Sequence, residues 1–251
     1  GGGSPDLYAE NPSSATAPSA TGLNAVAIGS SATASGGASG TNSSVAIGTS
    51  ASATANGAAA FGGLNPQANG IGSLALGYTP SAGSSFSAAI GYNATTATGS
   101  RATALTNSRA SGTDSFAAAI ANNTSSYGAS GANSVAMGTL AKASSTSAIC
   151  LGMISISSGA RAVNFGSYST ASGSYSAVLS GVSNSVGQNY SVVLNGAGSV
   201  NNIAGKVVWG NHGLTGNEGG MYRFFADTTT ATPEALTTTN TTAGTNNQII
   251  L

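Results

Sequence analysis

The groups able to carry acid–base chemistry are few: Asp6, Glu10, Asp114, Glu218, Asp227 and Glu234, with one histidine, His212, and one cysteine, Cys150. Glycoside hydrolysis needs two carboxyl groups held about 5–9 Å apart, and only Glu218, Asp227 and Glu234 lie near one another in sequence. All six acids are therefore read as solvated surface groups, and no catalytic residue is assigned. His212, in WGNHGLTGNEGG, has the chemistry of a base or a metal ligand beside Glu218. It is read instead as part of a polar loop at the end of a repeat array. The glycine-rich stretches lack a lysine at phosphate-loop spacing, and the calcium nonapeptide pattern is missing. A lone cysteine builds neither an internal disulfide nor a cysteine zinc cluster. The expectation is a non-enzymatic chain with no cofactor and no assigned metal.

Composition narrows the class. The 251 residues are 5% charged with a formal net charge of zero, and 37 of them are glycine. An ordinary soluble domain is roughly a quarter charged. With no basic excess there is no electrostatic footprint for nucleic acid. No run of about 18 apolar residues is present, so no membrane insertion by a helix is expected. The first residues, GGGSPDLYAENPSSATAPSATG, carry neither the positive nor the apolar region of a signal peptide.

The elements that must position any surface are set by a repeat. GLNAVAIG at 22–29 returns as NSVAMG at 133–138, and a large apolar residue closes each copy. These anchors are Ile28, Ile47, Phe61, Leu76, Ile90, Leu105, Ile120, Met137, Leu151, Phe165, Leu179, Leu194 and Trp209. Most are 14 or 15 residues apart, with insertions at GGASGTN (36–42) and around NNTSSYGASG (122–131). The residue before the anchor is alanine in the first eight copies. It then becomes Cys150, Asn164, Val178, Val193 and Val208.

Strand side chains alternate between faces. The anchor and the residue two before it share one face, and the alanine column takes the other. Glycine after the anchor is expected to supply a bend. Looser copies such as SATASG (31–36) and SATANG (52–57) supply a second strand and turn. The result is a parallel β-solenoid of about 13 coils, stacked at about 4.8 Å and so roughly 60 Å long. The alanine face is expected to be covered by partner chains. Asn164 then places an amide in that column, and three copies facing an axis would hold a water or an ion. Cys150 is read as a small buried thiol.

NAVAIGSSATASG, NSSVAIGTSASATANG and NSVAMGTLAKAS resemble the head repeats of trimeric autotransporter adhesins. The resemblance covers about residues 22–210 and weakens after about 155. It implies a left-handed parallel β-roll in a homotrimer around a common axis, exposed on a bacterial cell surface. A neck, a heptad stalk and an anchor are not found in these residues. Similar repeats occur in bacteriophage tail fibres and other virion appendages. LYAENPSSATAPSATGLNAVAIG and MYRFFADTTTATPEAL resemble the flanks of such phage proteins.

The chain is therefore divided into an extended linker (1–21, with Pro5, Pro12 and Pro18), an all-β solenoid (22–210) and a small C-terminal β module (211–251). The module opens on a strand in MYRFFAD and ends on NQIIL, an apolar end that a continuing polypeptide or another chain is expected to cover. The expected function is a phage tail fibre or virion appendage for host attachment, located on the virion. The alternative is a bacterial adhesin head. A glycan-degrading spike and an ice-binding solenoid rank below, the latter because Thr33, Thr54, Thr79, Thr96 and Thr139 hold no single column. Expected partners are two further copies of the chain, other virion or fibre proteins, and a host glycan or protein receptor. Receptor contact is assigned to Trp209, His212, Tyr222 and Arg223. Trp209 is also read as a cap on the open end. The tyrosines Tyr78, Tyr92, Tyr127, Tyr168, Tyr175 and Tyr190 are candidates for an outer aromatic surface.

Overall fold

A computed structural model of the protein describes residues 16–36, 43–96, 98–122, 124–209, 211–212 and 219–221. Of 211–212 and 219–221 it describes the backbone pairing alone. Thirteen short strands run parallel in one sheet, from Val26–Ile28 through Val45–Thr49, Ala59–Leu64 and Leu74–Tyr78 to Val207–Trp209. They stack in register, like over like: Ala60 pairs Ala75, Ala75 pairs Ala89, and Ala89 pairs Ala104. A second parallel sheet, split into two runs of six strands (Ser19–Ala20 to Thr95–Thr96 and Gly128–Ala129 to Val200–Asn201), carries the other strand of each coil through the twelfth. In the sixth coil it is reduced to single bridges, Thr95 to Arg109 and Ala110 to Ala129. No helix occurs among the described residues. The chain is an all-β parallel solenoid of thirteen coils.

The two faces are assigned the opposite way from the sequence expectation. The alanine column points into the coil of its own chain: Ala46, Ala60, Ala75, Ala89, Ala104, Ala117 and Ala136 are fully buried. Facing them from the second sheet are Ala34, Ala53, Ala68, Ala82, Ala129 and Ala143, also fully buried. The large residues point outward. Leu76 is 42% exposed, Phe165 45% and Trp209 39%. The physical reason is closure. Fourteen residues that form two strands and return to their start enclose a narrow lumen, filled by methyl groups in the early coils and by side chains such as Asn164 and Val178 in later ones. Alternation alone says that two faces differ, not which one the turns close around.

The seventh coil corrects a register. Ile120 is not its anchor, because Ala118 pairs with Met137, Ala117 with Ala136, and Phe116 with Val135. The run FAAAI fits either register by hydropathy. The deciding residue is Ser115, whose hydroxyl donates to the Gly112 carbonyl at 2.6 Å. Ser134 and Ser176 make the same three-residue bond at the same place in their own coils. Ile120, following a left-handed Ala119, turns inward and is fully buried. The inserted residues are taken up between Ala118 and Gly128.

Turn chemistry also differs from expectation. The left-handed bends are made mostly by other residues: Ser31, Ser50, Asn65, Thr79, Asn93 and Asn107 at one corner, and Phe86, Arg101, Asp114, Arg161, Tyr175 and Tyr190 at the other. The glycine after the anchor is required by close approach. A Cβ on Gly48 or Gly62 would collide with the carbonyl oxygen of the glycine one coil further on.

From the eleventh coil the lumen widens to hold Val178, Val186, Val193 and Val208. The last strand of the main sheet is closed by Gly219–Met221, which runs antiparallel to it, with Trp209 opposite Gly219. This places a strand at the start of the 211–251 segment. Most of that segment, and residues 1–15 of the linker, lie outside the described residues.

Candidate functional site

With the lumen filled, function has to lie on the outside, where three surfaces differ in chemistry. The first is the outer face of the main sheet. Two largely apolar columns run along the thirteen coils, one from Val26 to Val207, broken by Thr103, and one from Ile28 to Trp209, reduced to the buried Ala118 in the seventh coil. Many of the anchors, including Ile47, Leu76, Met137, Leu151, Leu179 and Leu194, are about two-fifths exposed. A contiguous apolar stripe of this length exceeds what soluble monomers usually display, and such patches mark interaction surfaces. The second sheet shows a mostly polar outer face at the corresponding positions, with Thr33, Ser52, Gln67, Ser81 and Thr95 over the first coils, then Arg109, Lys142, Thr170 and Ser185, interrupted by Ile156 and Val200. One side of the coil is therefore far more apolar than the other.

The remaining surface is that of the two corners, where the left-handed residues stand. Arg101 and Asp114 meet across adjacent coils in a two-pronged pair, with Nε to Oδ1 at 2.6 Å and Nη2 to Oδ2 at 2.7 Å. The Arg101 hydrogen bonds hold the Asp114 carboxyl below its ordinary range. Four coils further on, Arg161 lies over the Tyr175 ring, 5.2 Å from its centre, and its Nη1 donates to the Tyr175 hydroxyl at 2.8 Å. Tyr175 stacks on Tyr190 with centres 5.0 Å apart and planes 10° from parallel. At the opposite corner Tyr78 stacks on Tyr92 at 5.8 Å. These stacks were only loosely legible in sequence as scattered tyrosines. The spacing of 161, 175 and 190 matches the repeat and would have aligned them.

The structure puts the residues singled out from sequence in quite different surroundings. Asn164 is fully buried in the lumen. Its Nδ2 donates to the carbonyls of Ile156 (3.1 Å) and Ser169 (2.7 Å), and its Oδ1 accepts from the Gly166 amide at 3.0 Å. An axial site required this column to face an axis, and it faces the inside of the coil instead. Asn184 and Asn201 hold the turns of later coils by similar amide-to-backbone bonds. Cys150 is buried, its Sγ donating to the Ser155 carbonyl at 3.2 Å, and burial raises its pKa. Trp209 stands last in the outer apolar column. His212 lies on the strand Asn211–His212, paired parallel with Gly196–Ala197. Tyr222 and Arg223 lie outside the described residues, as do Asp6, Glu10, Glu218, Asp227 and Glu234. Tyr127 packs against the alanine core. Among the described residues no three His, Cys, Asp or Glu side chains come together, and no helix is long and apolar enough to cross a membrane.

In-register parallel coils with a filled lumen and chemically distinct outer faces define a β-solenoid of structural type. Two segments, residues 20–43 and 129–153, match the YadA head domain repeat. They are the first coil, with the whole insertion after it, and the stretch from Ala129 in the seventh coil past the ninth-coil strand Ile149–Cys150. The repeat and the solenoid together fit the head-repeat β-roll of trimeric autotransporter adhesins, an adhesin-like and surface-exposed architecture. No curated protein sequence gives a significant match.

Proposed function

We propose that this chain is a homotrimeric, non-enzymatic fibre segment that spaces and presents a host-attachment surface. The observation that carries the reading is the outer apolar stripe. A partly exposed leucine or isoleucine gains roughly 1 kcal/mol when its remaining two-fifths is buried. The stripe offers that gain along its whole length, on one face only. Three copies turning this face to a common axis cover it completely and leave the polar second sheets outside. A chain of 23.8 kDa should then elute as an elongated particle of about three times that mass by light scattering. A monodisperse monomer at micromolar concentration would remove the basis for the reading.

Within it, a phage tail fibre or virion appendage is favoured by the flanking segments 7–29 and 221–236, with other virion proteins as neighbours and a host glycan or protein as receptor. The bacterial adhesin head is favoured by the repeat match itself. Antibody against the chain decides between them, by labelling purified virions or the outer surface of cells. In both readings the solenoid is the rigid spacer. Recognition lies in the loops or beyond residue 211, where His212, Tyr222 and Arg223 stand and next to which Trp209 sits. Removal of 211–251 with host binding fully retained would overturn that division of labour.

A further inference from the structure

Most coils of the outer stripe look alike, so the stripe by itself does not fix the height at which two copies meet. Sliding one copy by a coil, about 4.8 Å, leaves nearly the same apolar area covered. A periodic interface is given its register by a local departure from the period. The fourth and fifth coils carry such a departure at both edges of the main sheet. At the edge where the strands begin, Ile71 precedes Leu74–Tyr78 and Phe86 precedes Ala88–Ile90. The Phe86 amide donates to the Ile71 carbonyl at 2.7 Å, and the Phe86 ring lies over Gly72. At the edge where the strands end, Tyr78 is paired with Leu64 of the third coil and stacks on Tyr92 of the fifth, ring centres 5.8 Å apart and planes 18° from parallel. Ile71 is 51% exposed, Phe86 65%, Tyr78 49% and Tyr92 56%. In the sixth coil the two edges carry Arg101 and Asn107 instead.

We infer that Ile71 and Phe86 of one copy close against Tyr78 and Tyr92 of the next, and that this edge-to-edge clasp holds the copies level. Rotation about an axis parallel to the rod preserves height and chain direction. The edge where strands begin in one copy therefore adjoins the edge where strands end in its neighbour, coil beside coil. Ile71 then faces Tyr78 in the fourth coil, and Phe86 faces Tyr92 in the fifth. The clasp continues the apolar stripe outward to the seams between copies, where the stripe alone leaves its margins wet. Aromatic side chains bury large areas and gain further from pairing with one another, and Tyr92 is already oriented by its stack on Tyr78. A slip of two coils sets Ile71 against Asn107 in one direction and against Thr49 in the other. A uniform slip of one coil does not return to its start after three copies, and builds an open fibre in place of a closed ring. The inference rests on the homotrimer reading and adds to it which edges meet and at what height.

The test is disulfide trapping on the full chain in a Cys150→Ala background, which removes the native thiol. Ile71→Cys combined with Tyr78→Cys leaves Phe86 and Tyr92 in place. Within one chain these two positions flank a whole strand, too far apart to bridge. Mild oxidation should therefore join copies, giving a covalent species of three times 23.8 kDa on a denaturing gel. Ile71→Cys combined with Asn107→Cys, two coils out of level, should stay a single chain. Independently, Phe86→Ser should raise the concentration at which the trimer dissociates by at least about tenfold. Serine already stands left-handed in that column at Ser147, and far-UV circular dichroism checks the coil in each variant. A wild-type trimer in which the level pair forms no bridge, the offset pair bridges as readily, or Phe86→Ser leaves dissociation unchanged overturns the clasp and leaves the trimer standing. A wild-type monomer by light scattering removes the trimer reading, and the clasp with it.

Discussion

Replacing Ala75 by leucine sets the two face assignments against each other, because its neighbour Leu76 points the other way. Ala75 is fully buried and stacked between Ala60 and Ala89, with the inward alanines of the second sheet opposite. Three added carbons have no space in such a lumen. Overpacking costs typically about 1–3 kcal/mol and more where nothing can move. Here the neighbours are methyl groups on rigid strands, so at least about 3 kcal/mol is expected. Each coil contacts only the next on either side, so the loss falls on the interfaces with the third and fifth coils. Leu76→Ser removes a side chain already 42% exposed, and should cost the isolated coil about 1 kcal/mol or less.

Guanidinium unfolding followed by far-UV circular dichroism measures the difference. With a slope of about 4–6 kcal/mol/M, Ala75→Leu should lower the midpoint by roughly 0.5–0.75 M. Leu76→Ser should barely move it, but should lower the mass seen by light scattering in dilute solution. The reverse pattern would refute the assignment. If Ala75→Leu leaves the midpoint in place and disrupts association, alanine is the face between chains and the lumen lies elsewhere.

Other substitutions probe single contacts. Asn164→Val keeps volume but removes the side-chain bonds to the Ile156 and Ser169 carbonyls and to the Gly166 amide, and should cost about 1–3 kcal/mol in the same unfolding assay. Ile154 is β-branched yet left-handed at φ 51°; Ile154→Asn should stabilise by about 1 kcal/mol, since asparagine already serves that column at positions 65, 93 and 107. Cys150, buried and with its pKa raised, should resist a thiol reagent at pH 8 until the coil is unfolded. The Asp114 carboxyl, held down by Arg101, should titrate below the usual aspartate range by NMR and move up in Arg101→Gln. Whatever stability the pair adds is present above that range and is lost as pH falls through the lowered value.

The thirteen coils were legible because stacking places every copy in the same environment, so equivalent positions repeat the same residue type at 14 or 15 residues. What failed was information that translation does not carry. Both strand faces are apolar, so hydropathy could not say which was inside. Size could have: a closed coil of fourteen residues accepts Ala75 inward and not Leu76. FAAAI at 116–120 was ambiguous for the same reason, and the discriminating mark was polar, a serine placed to cap the preceding turn. The stack of Arg161, Tyr175 and Tyr190 escaped because its members differ in type, although their spacing is that of the repeat. Beyond residue 209 the repeat stops, and with it the only strong signal in this composition.

The inward alanines also bear on why the stripe should be covered. Ordering a residue costs about 1–2 kcal/mol of backbone entropy, while burying one methyl group returns only about 0.8 kcal/mol. A lumen lined by alanine cannot offset the ordering of its own coil. Backbone hydrogen bonds between coils supply part of the difference, at about 1 kcal/mol net each. The large apolar groups that would supply the rest are on the outside, where a single chain leaves them partly wet. A protein whose bulkiest side chains lie in the two columns that its own coil cannot enclose has placed its main reserve of hydrophobic free energy between chains. Folding and association should therefore be coupled here, and the apolar stripe belongs to the stability of the rod as much as to its assembly.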